Sequence, residues 1–328
     1  MSDTATLSRL FATIEPDLEV VDNEFQRRAS SGLEMMNAAA AHAISSPGKR
    51  LRTALTLLSG KLFNYNFEKL LLLSVAFEMT HLASLVHDDI IDHADTRRGI
   101  PTVNAHYGEP VAILLGDYLF AKTAGLIADV GDFRIDRLFS DTVATVSEGS
   151  IIELLSARRL DISLEQYLQR VNYKTACLMA ACCKGGATIG GATDAQIALM
   201  HEYGMNLGIA FQIVDDVLDY TGSELTIGKP AGNDIRQGMV TLPLIFALRN
   251  EHNGRLEQSH RLLQSEHPAD EDVAAVVRWV NATGAIEESL ALARQYATRA
   301  RALLSELHAS GDRRVLEELI DFVLARSH

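Results

Sequence analysis

The chain has 328 residues, of which 47% are hydrophobic and 22% are charged, and its formal net charge is −13 at pH 7. Such a chain can bury a large core, and its negative charge argues against nucleic-acid binding, which requires a basic face. The sequence has neither a Pro/Ser-rich linker nor a low-complexity tract, so we expect one all-α domain over residues 1–328.

The N-terminal segment and the cysteines indicate where the protein works. Residues 1–10 lack the positive region and the apolar core of a signal peptide. No uncharged apolar run approaches the roughly 20 residues that span a bilayer, so we expect no transmembrane segment, while peripheral contact with a membrane stays open. Cys177, Cys182 and Cys183 form an odd-numbered group, typical of reduced thiols in a cytoplasmic protein.

A small basic turn follows the first helical region. Residues 4–44 are predicted to be helical, and the Ser45–Gly48 turn ends this region. Lys49 and Arg52 then open the next helix. Cations beside a helix N-terminus favour an anion, although a solvated basic turn explains the same pattern.

The strongest predicted helix, residues 68–93, ends in the first acidic cluster, Asp88, Asp89 and Asp92. Positions four apart lie on one face of a helix, so Asp88 and Asp92 repel each other unless a cation lies between them. At about 100° per residue, one line along this helix carries five residues: Phe77, His81, Ser84, Asp88 and Asp92. Pure core packing does not end such a line in two acids.

Three further helices are predicted, at residues 108–130, 135–158 and 164–189. The last contains Lys174, which in such a segment is usually a surface residue and becomes of interest if the acidic helices face it. The glycine pairs at 185–186 and 190–191 lack the strand–turn–helix context of a phosphate loop. We interpret them as close-packing and helix-end glycines.

The second acidic cluster, Asp215, Asp216 and Asp219, ends the helix predicted at 195–220 and repeats the spacing of the first. Two such clusters predict a shared cation. A Gly-rich loop at 221–238 follows and is a candidate lid. The segment 256–327 is ordinary amphipathic helix, in which we expect no chemistry.

Carboxylates of this kind favour Mg²⁺, which usually completes its shell with substrate phosphates. The sequence offers a diphosphate many cations: Arg97, Arg98, Lys174, Lys229 and the Lys49–Arg52 turn. Apolar and small side chains below the acids suit a long hydrocarbon tail. Metal ions stabilise a departing diphosphate, and a dry pocket protects the allylic carbocation left behind.

From about Pro47 to Leu244 the chain resembles the all-trans isoprenyl diphosphate synthases of the polyprenyl synthetase family. The resemblance rests on both acidic clusters and on short motifs in the family's order. These are Gly48–Arg52, Leu85–Asp92, Arg97–Thr102, Gly116–Ala121, Lys174–Ala176, Phe211–Asp219, Gly228–Pro230 and Asn233–Asp234.

The resemblance implies an isoprenoid synthase-type helical bundle around a deep central cavity, usually a homodimer. It implies Mg²⁺, three ions per active site with diphosphate bound and Mn²⁺ as an alternative, on Asp88, Asp92 and Asp215, supported by Asp89, Asp216 and Asp219. The allylic diphosphate would be held by Arg97, Lys174 and Lys229, and isopentenyl diphosphate by Lys49, Arg52, His81 and Arg98. The catalytic candidates are Lys174, Thr175, Gln212 and Phe211, with Thr175 and Gln212 beside the reacting carbons and Phe211 over the isopentenyl unit.

The resemblance also implies that the released pyrophosphate takes the final proton, and it gives His87 and His93 no contact. Three positions depart from the family pattern. Pro47 stands where a first Gly is common, Thr53 where Pro is common, and Glu153 where Gln is common. These departures change backbone stiffness near the isopentenyl site and hydrogen bonding in the pocket wall.

Product length is predicted from the residues below Asp88. In the family the fourth and fifth residues before the first Asp gate the tail, and here they are the small Ser84 and Ala83. Phe77, about three turns down the same face, is the candidate floor. Counting about one isoprene unit per 5.4 Å turn predicts a product of about C30 to C50. The helix with Tyr118 and Phe120 offers another floor.

Other functions fit the sequence less well. A short-chain geranylgeranyl or farnesyl diphosphate synthase is the first alternative. A non-catalytic partner subunit would have degraded aspartate motifs, whereas both are intact here. A terpene cyclase would not need the basic turn or the second acidic cluster, and a helical scaffold leaves the charge placement unexplained. Whether the partner is an identical or a different chain stays open.

Overall fold

The helical periodicity of the sequence is realised in a computed structural model of the protein, which describes residues 3–45, 48–222, 231–249, 255–265 and 268–326. The first half contains α1 Asp3–Leu10, α2 Glu15–Ala29, α3 Glu34–Ile44, α4 Leu51–Lys61, α5 Phe67–Ile91, α6 Val103–Tyr107, α7 Glu109–Val130 and α8 Phe133–Ser156. The second half contains α9 Leu164–Val171, α10 Cys177–Ile189, α11 Asp194–Thr221, α12 Asn233–Arg236, α13 Leu242–Arg249, α14 Arg255–Gln264, α15 Asp270–Ala282, α16 Ala285–Ser305 and α17 Gly311–Ala325.

Two features interrupt this helical pattern. The strands β1 Thr96–Arg97 and β2 Ile100–Pro101 pair antiparallel just after the first acidic cluster. A π-helical turn, Asn172–Ala176, lies between α9 and α10, so the predicted helix 164–189 is not one regular α-helix. Such turns occur frequently at functional sites, and this one contains Lys174.

Four of the predicted helices agree closely with the structure. The predictions 68–93, 108–130, 135–158 and 195–220 correspond to α5, α7, α8 and α11. The region 4–44 divides into three helices, with breaks at 11–14 and 30–33. The predicted loop 221–238 contains the short α12, so that part of the loop prediction was wrong.

The described residues form two compact units. The first comprises Met1–Val143, Leu178–His201 and Leu307–Glu318, and the second comprises Ala144–Cys177, Glu202–Glu306 and Leu319–His328. Each is described by itself below. The expectation of one domain over 1–328 stays a prediction.

The core of the first unit is built on α4, where Thr53–Gly60 is buried throughout. A β-carbon placed on Gly186 of α10 would lie 2.3 Å from the carbonyl oxygen of Thr56. Only glycine therefore allows α10 to approach α4 this closely. Gly191 has φ +72° just after α10, a backbone conformation that favours glycine. The interpretation of both glycine pairs as structural is confirmed.

Helices α5 and α7 also pack at a glycine. A β-carbon on Gly116 would lie 2.0 Å from Nε2 of His87, and this nitrogen is 3.1 Å from the carbonyl oxygen of Ile113. His87 thus fills the space that Gly116 leaves.

Both helices, α5 and α7, are long and apolar enough to span a membrane by length and composition, with 56% of the most apolar window of α5 and 39% of that of α7 buried. Core helices pass the same test, so this is weak evidence for a span.

The second unit buries three tyrosines, Tyr167, Tyr203 and Tyr220. The amide of Asn281 donates to the carbonyl oxygen of Tyr220 at 2.9 Å, which joins α15 to the end of α11. Gly232, at φ +80°, begins α12 where a β-carbon would lie 2.6 Å from Val273. These contacts fix the chain around the second acidic cluster.

Candidate active site

The three carboxylates of the first acidic cluster have different surroundings at the end of α5. Asp89 is 5% exposed and accepts a hydrogen bond from Nε of Arg97 at 2.7 Å. Asp88 is half-buried and Asp92 is exposed, and the backbone N–H of Asp92 donates to the carbonyl oxygen of Asp88 at 2.8 Å. Asp89 therefore pairs with Arg97, predicted to bind allylic diphosphate, whereas Asp88 and Asp92 are more accessible to a cation.

A basic cluster, Arg52, His81, Arg97 and Arg98, lies beside this helix end. Burial and the charges of the three arginines hold the pKa of His81 well below its ordinary value. Burial and the other arginines also lower the pKa of Arg98. Cations that disfavour one another's charge in this way favour an anion among them. The structure thus brings together three of the four predicted isopentenyl diphosphate ligands; Lys49, the fourth, is exposed in the turn before α4.

Glu78, which the sequence analysis did not select, links α4 to α5. Its Oε1 accepts hydrogen bonds from the backbone N–H of Thr53 at 3.2 Å and from the Thr53 hydroxyl at 2.9 Å. The charge of Glu78 also acts to raise the pKa of Arg98. Thr53 is one of the departures from the family pattern, and proline at this position would provide neither donor.

The predicted channel residues lie along α5. Ala83 and Phe77 are buried, and the half-buried Ser84 donates to the carbonyl oxygen of His81 at 2.8 Å. A β-carbon on Gly185 of α10 would lie 3.3 Å from Cε2 of Phe77, so Gly185 leaves room for this ring. Within this unit, the small Ser84 and Ala83 lie one turn below Asp88, His81 follows on the same face, and the buried Phe77 lies one turn farther down.

Asp215, the first residue of the second acidic cluster, is exposed and forms an ion pair with an arginine. Nη2 of Arg326 donates to Asp215 Oδ1 at 2.9 Å, and the guanidinium lies 4.7 Å from the centroid of the Phe211 ring. Arg326 follows α17, in the segment 256–327 where we expected no chemistry. The structure places this one cation of the segment against the second acidic cluster, and the expectation itself stays a prediction. No local pattern indicated this contact, because the two residues are far apart in the chain.

Asp216, in contrast, is 5% exposed and is part of a hydrogen-bonded chain. The Tyr167 phenol donates to Oδ2 at 2.6 Å, and the Gln212 amide donates to Oδ1 at 2.8 Å. The Thr175 hydroxyl donates to Oε1 of Gln212 at 2.8 Å. Burial raises the pKa of Asp216 to about 7, although the hydrogen bonds from Tyr167 and Gln212 oppose this rise.

Tyr167 is a second residue that sequence reasoning missed. It is 0% exposed, and a buried phenol requires a hydrogen-bond partner, here Asp216. The chain from Tyr167 through Asp216 and Gln212 fixes the hydroxyl of Thr175. The structure therefore joins the two residues predicted to lie beside the reacting carbons.

Asp219 ends the cluster and holds the chain that follows. Its two carboxylate oxygens accept from the backbone N–H groups of Asn233 at 3.1 Å and Asp234 at 3.0 Å. Burial raises the pKa of Asp219, and burial together with the neighbouring aspartates raises that of Asp234. Asp219 thus anchors α12. Lys229, the predicted lid cation, lies outside the described residues, as does Pro47.

Lys174, in the π-helical turn, donates to Oε1 of Glu153 on α8. Glu153 is the position at which the family pattern commonly has Gln. The pair is held by a close approach, because a β-carbon on Gly149 would lie 2.8 Å from the backbone nitrogen of Lys174. Lys174 therefore meets an acidic side chain in its own unit.

The side chains of the two acidic clusters are all carboxylates, which suit a hard divalent cation. Carboxylate oxygens are the ligands that Mg²⁺ prefers, and Mg²⁺ on one or two carboxylates usually completes its shell with substrate phosphates. Among the described residues, no group of three or more His, Cys, Asp or Glu side chains is arranged to hold a metal ion. Asp88, Asp92 and Asp215 are the more accessible carboxylates of their clusters, and the arginine on Asp215 shows that this oxygen accepts a cation.

Comparison with known proteins gives a consistent result. The family model of polyprenyl synthetases matches residues 33–280. The chain is 37% identical to heptaprenyl diphosphate synthase component 2 of Geobacillus stearothermophilus, over 98% of this chain and 99% of that protein.

Solved structures extend the likeness to three dimensions. A decaprenyl diphosphate synthase from Rhodobacter capsulatus superposes with a TM-score of 0.92 at 33% identity, covering 98% of this chain and 99% of that one. A polyprenyl synthase from Caulobacter crescentus, solved with calcium and isoprenyl diphosphate, gives a TM-score of 0.93 at 33% identity and 98% coverage of both chains. The likeness therefore covers nearly the whole chain.

Proposed function

Because the chain belongs to the polyprenyl synthetase family, has its all-α isoprenoid synthase fold and is thus a trans-prenyltransferase, we propose that it makes medium-to-long polyprenyl diphosphates. It condenses an allylic diphosphate with isopentenyl diphosphate head-to-tail, repeatedly, and releases pyrophosphate at each step. The observation that carries the product length is the α5 face, where small residues occupy the first turn below Asp88 and Phe77 lies farther down.

The proposed length is about C30 to C50, which exceeds the roughly three isoprene units that about three helical turns from Asp88 to Phe77 accommodate. A tail of this length therefore continues past Phe77. Relatives named as heptaprenyl and decaprenyl diphosphate synthases support this range, whereas other relatives are named as geranylgeranyl pyrophosphate synthases. A shorter product is the alternative, and Phe77 is the residue that would set the limit. Ala83 and Ser84 leave the first turn open to a growing tail.

The chain's own residues have distinct roles in this reaction. Arg97, Lys174 and Lys229 bind the allylic diphosphate. Lys49 binds isopentenyl diphosphate together with Arg52, His81 and Arg98, and the low pKa of His81 means that its imidazole is a neutral hydrogen-bonding group there.

The chain from Tyr167 to Thr175 orients the groups beside the reacting carbons. Phe211 packs over the isopentenyl unit, and the released pyrophosphate takes the proton lost from it.

Mg²⁺ is the proposed cofactor, held by Asp88, Asp92 and Asp215, with three ions per active site once diphosphate is bound. The calcium in a related structure supports a divalent cation, and Mn²⁺ is an alternative. When bound, the ions stabilise the negative charge that develops on the leaving diphosphate. Asp89, Asp216 and Asp219 support these ligands.

A homodimer in the cytoplasm is the proposed state of the protein. Helix α7 exposes Ile113 and Leu114, and the C-terminal half of α8 exposes Ile151, Leu154 and Leu155. Exposed apolar side chains in such groups mark contact surfaces, and a second copy would cover them. Cys177, Cys182 and Cys183 are not joined in a disulfide, which suits a reducing compartment.

A different partner chain is the second candidate, because one relative is named as component 2 of its synthase. Light scattering of the purified protein distinguishes the two. A dimer that Leu155→Glu converts to a monomer supports the homodimer, and a wild-type monomer contradicts it.

The deciding experiment incubates the purified protein with labelled isopentenyl diphosphate, several allylic primers and Mg²⁺, and then sizes the products. Chains of about C30 to C50 support the proposal. Geranylgeranyl diphosphate or shorter products would assign a short-chain synthase. No incorporation by the folded protein with any primer contradicts catalysis by this chain alone.

A further inference from the structure

The pair formed by Lys174 and Glu153 is the starting point of a further inference. The ammonium of Lys174 donates to Oε1 of Glu153, and the two side chains are 24% and 22% exposed. Both groups are thus largely shielded but still reach solvent. A ligand that enters this region meets the ammonium already paired with a carboxylate.

The backbone makes this pairing a built feature of the second unit. Gly149 and Glu153 are four residues apart on α8 and therefore share a helix face. The buried Gly149 lets α8 approach the π-helical turn, since a β-carbon there would lie 2.8 Å from both the nitrogen of Lys174 and the carbonyl carbon of Tyr173. One turn farther along α8, Glu153 then meets the side chain of Lys174.

The neighbouring residue is held independently. The hydroxyl of Thr175 donates to Gln212, which in turn donates to Asp216. This chain does not pass through Glu153. A change that removes only the charge of Glu153 therefore leaves the hydrogen bonds of Thr175 in place and alters the surroundings of the Lys174 ammonium.

We propose that Glu153 is a positioning residue, which holds the Lys174 ammonium until the allylic diphosphate takes the place of the Glu153 carboxylate. Glu153 thereby limits how tightly that diphosphate binds. This inference rests on the proposed function of the site. An ammonium offers three donors, but a carboxylate next to an incoming diphosphate repels it. Glu153 therefore orients Lys174 and at the same time weakens the binding of the allylic diphosphate and of pyrophosphate.

The test is Glu153→Gln, which keeps the shape of the side chain and removes its charge. Two quantities are measured: the affinity for inorganic pyrophosphate with Mg²⁺ by calorimetry, and the KM of each substrate. A partly exposed ion pair is worth at most about 1 kcal/mol, so we expect pyrophosphate to bind about 2- to 5-fold more tightly. The KM of the allylic substrate falls by a similar factor, while that of isopentenyl diphosphate stays unchanged.

Two controls isolate the pair. Glu148→Gln removes the same charge from an exposed position of α8 and leaves both quantities unchanged. In a Lys174→Gln background, Glu153→Gln no longer raises the affinity for pyrophosphate by this factor. Unchanged or weaker pyrophosphate binding in the single variant, or an equal gain without Lys174, overturns the inference.

The outcomes also separate the inference from the proposed function. A wild-type protein that elongates primers but gains nothing from Glu153→Gln leaves the function intact and rejects the role of Glu153. A wild-type protein that elongates no primer rejects the function, and the inference with it.

Discussion

Arg326 and Asp215 form an ion pair at 2.9 Å, although 111 positions separate them in the chain. The side chain of Arg326 is only 8% exposed, and its guanidinium also lies over the ring of Phe211. A single arginine after the last helix thus contacts one proposed metal ligand and one proposed substrate contact. It occupies an oxygen that the proposed mechanism gives to Mg²⁺.

We therefore expect Arg326→Gln to bind Mn²⁺ more tightly than the wild type when substrate is absent. A partly exposed ion pair is worth at most about 1 kcal/mol, so the expected gain in Mn²⁺ affinity is about 2- to 5-fold. Electron paramagnetic resonance of free Mn²⁺ measures it. Arg314→Gln, an exposed position of α17 that pairs with Glu318, is the control. Equal affinity in all three proteins would show that Arg326 and the metal do not compete.

Asp92→Asn should lower the rate of chain elongation by a factor of about 100 or more, because stabilisation of a leaving diphosphate by metal ions is worth several kcal/mol. Asp95→Asn is the matched control, since Asp95 is also exposed and lies three positions later. Steady-state incorporation of labelled isopentenyl diphosphate compares the two. Equal loss in both variants would point to a general effect of charge near the helix end.

Phe77→Ala should lengthen the product by at least one isoprene unit, since the ring lies on the face below Asp88. The variant should also be destabilised by about 3–5 kcal/mol, as is usual when a buried aromatic ring is removed. Val75→Ala, buried on the other side of α5, should keep the product length. Mass spectrometry of the dephosphorylated products reads the result, and an unchanged length places the floor elsewhere.

Gly116→Ala should destabilise the protein by about 1–3 kcal/mol, because the new methyl group overlaps the ring of His87. The double variant with His87→Ala should recover part of this loss, since the space is then open. Urea unfolding of the wild type, the two single variants and the double variant gives the coupling free energy between the two positions. Additive losses would mean that the two residues do not share this space.

The raised pKa of Asp216 predicts a pH-dependent stability of the metal-free protein. The folded protein keeps this proton up to about pH 7, whereas the unfolded chain loses it near pH 4. The folded state thus binds more protons over this interval, so its stability falls as pH rises and then levels off. Measured by urea unfolding, wild type should lose stability relative to Asp216→Asn from about pH 4 to about pH 7. A wild type that gains stability relative to Asp216→Asn over this interval would contradict the raised pKa of Asp216.

The sequence predicted what depends on local periodicity. Helix α5 and its acidic end follow from spacing alone, as do the close-packing glycines of α10. The partners of Arg326, Tyr167 and Glu78 could not be predicted, because they depend on which helices meet. The π-helical turn has no periodic signal either, since one added residue changes only the hydrogen bonding. Glu153 was noticed as a departure, but only the structure shows that it pairs with Lys174.

The bonds from Thr53 to Glu78 have a consequence for engineering this enzyme. They join the first turn of α4, which carries Arg52, to the helix that carries His81 and Phe77. Substitutions that reshape α5 to change product length will therefore also shift Arg52 and His81, which are proposed to hold isopentenyl diphosphate. Chain length and the affinity for the building block are mechanically linked, and redesign of one requires compensation at the other.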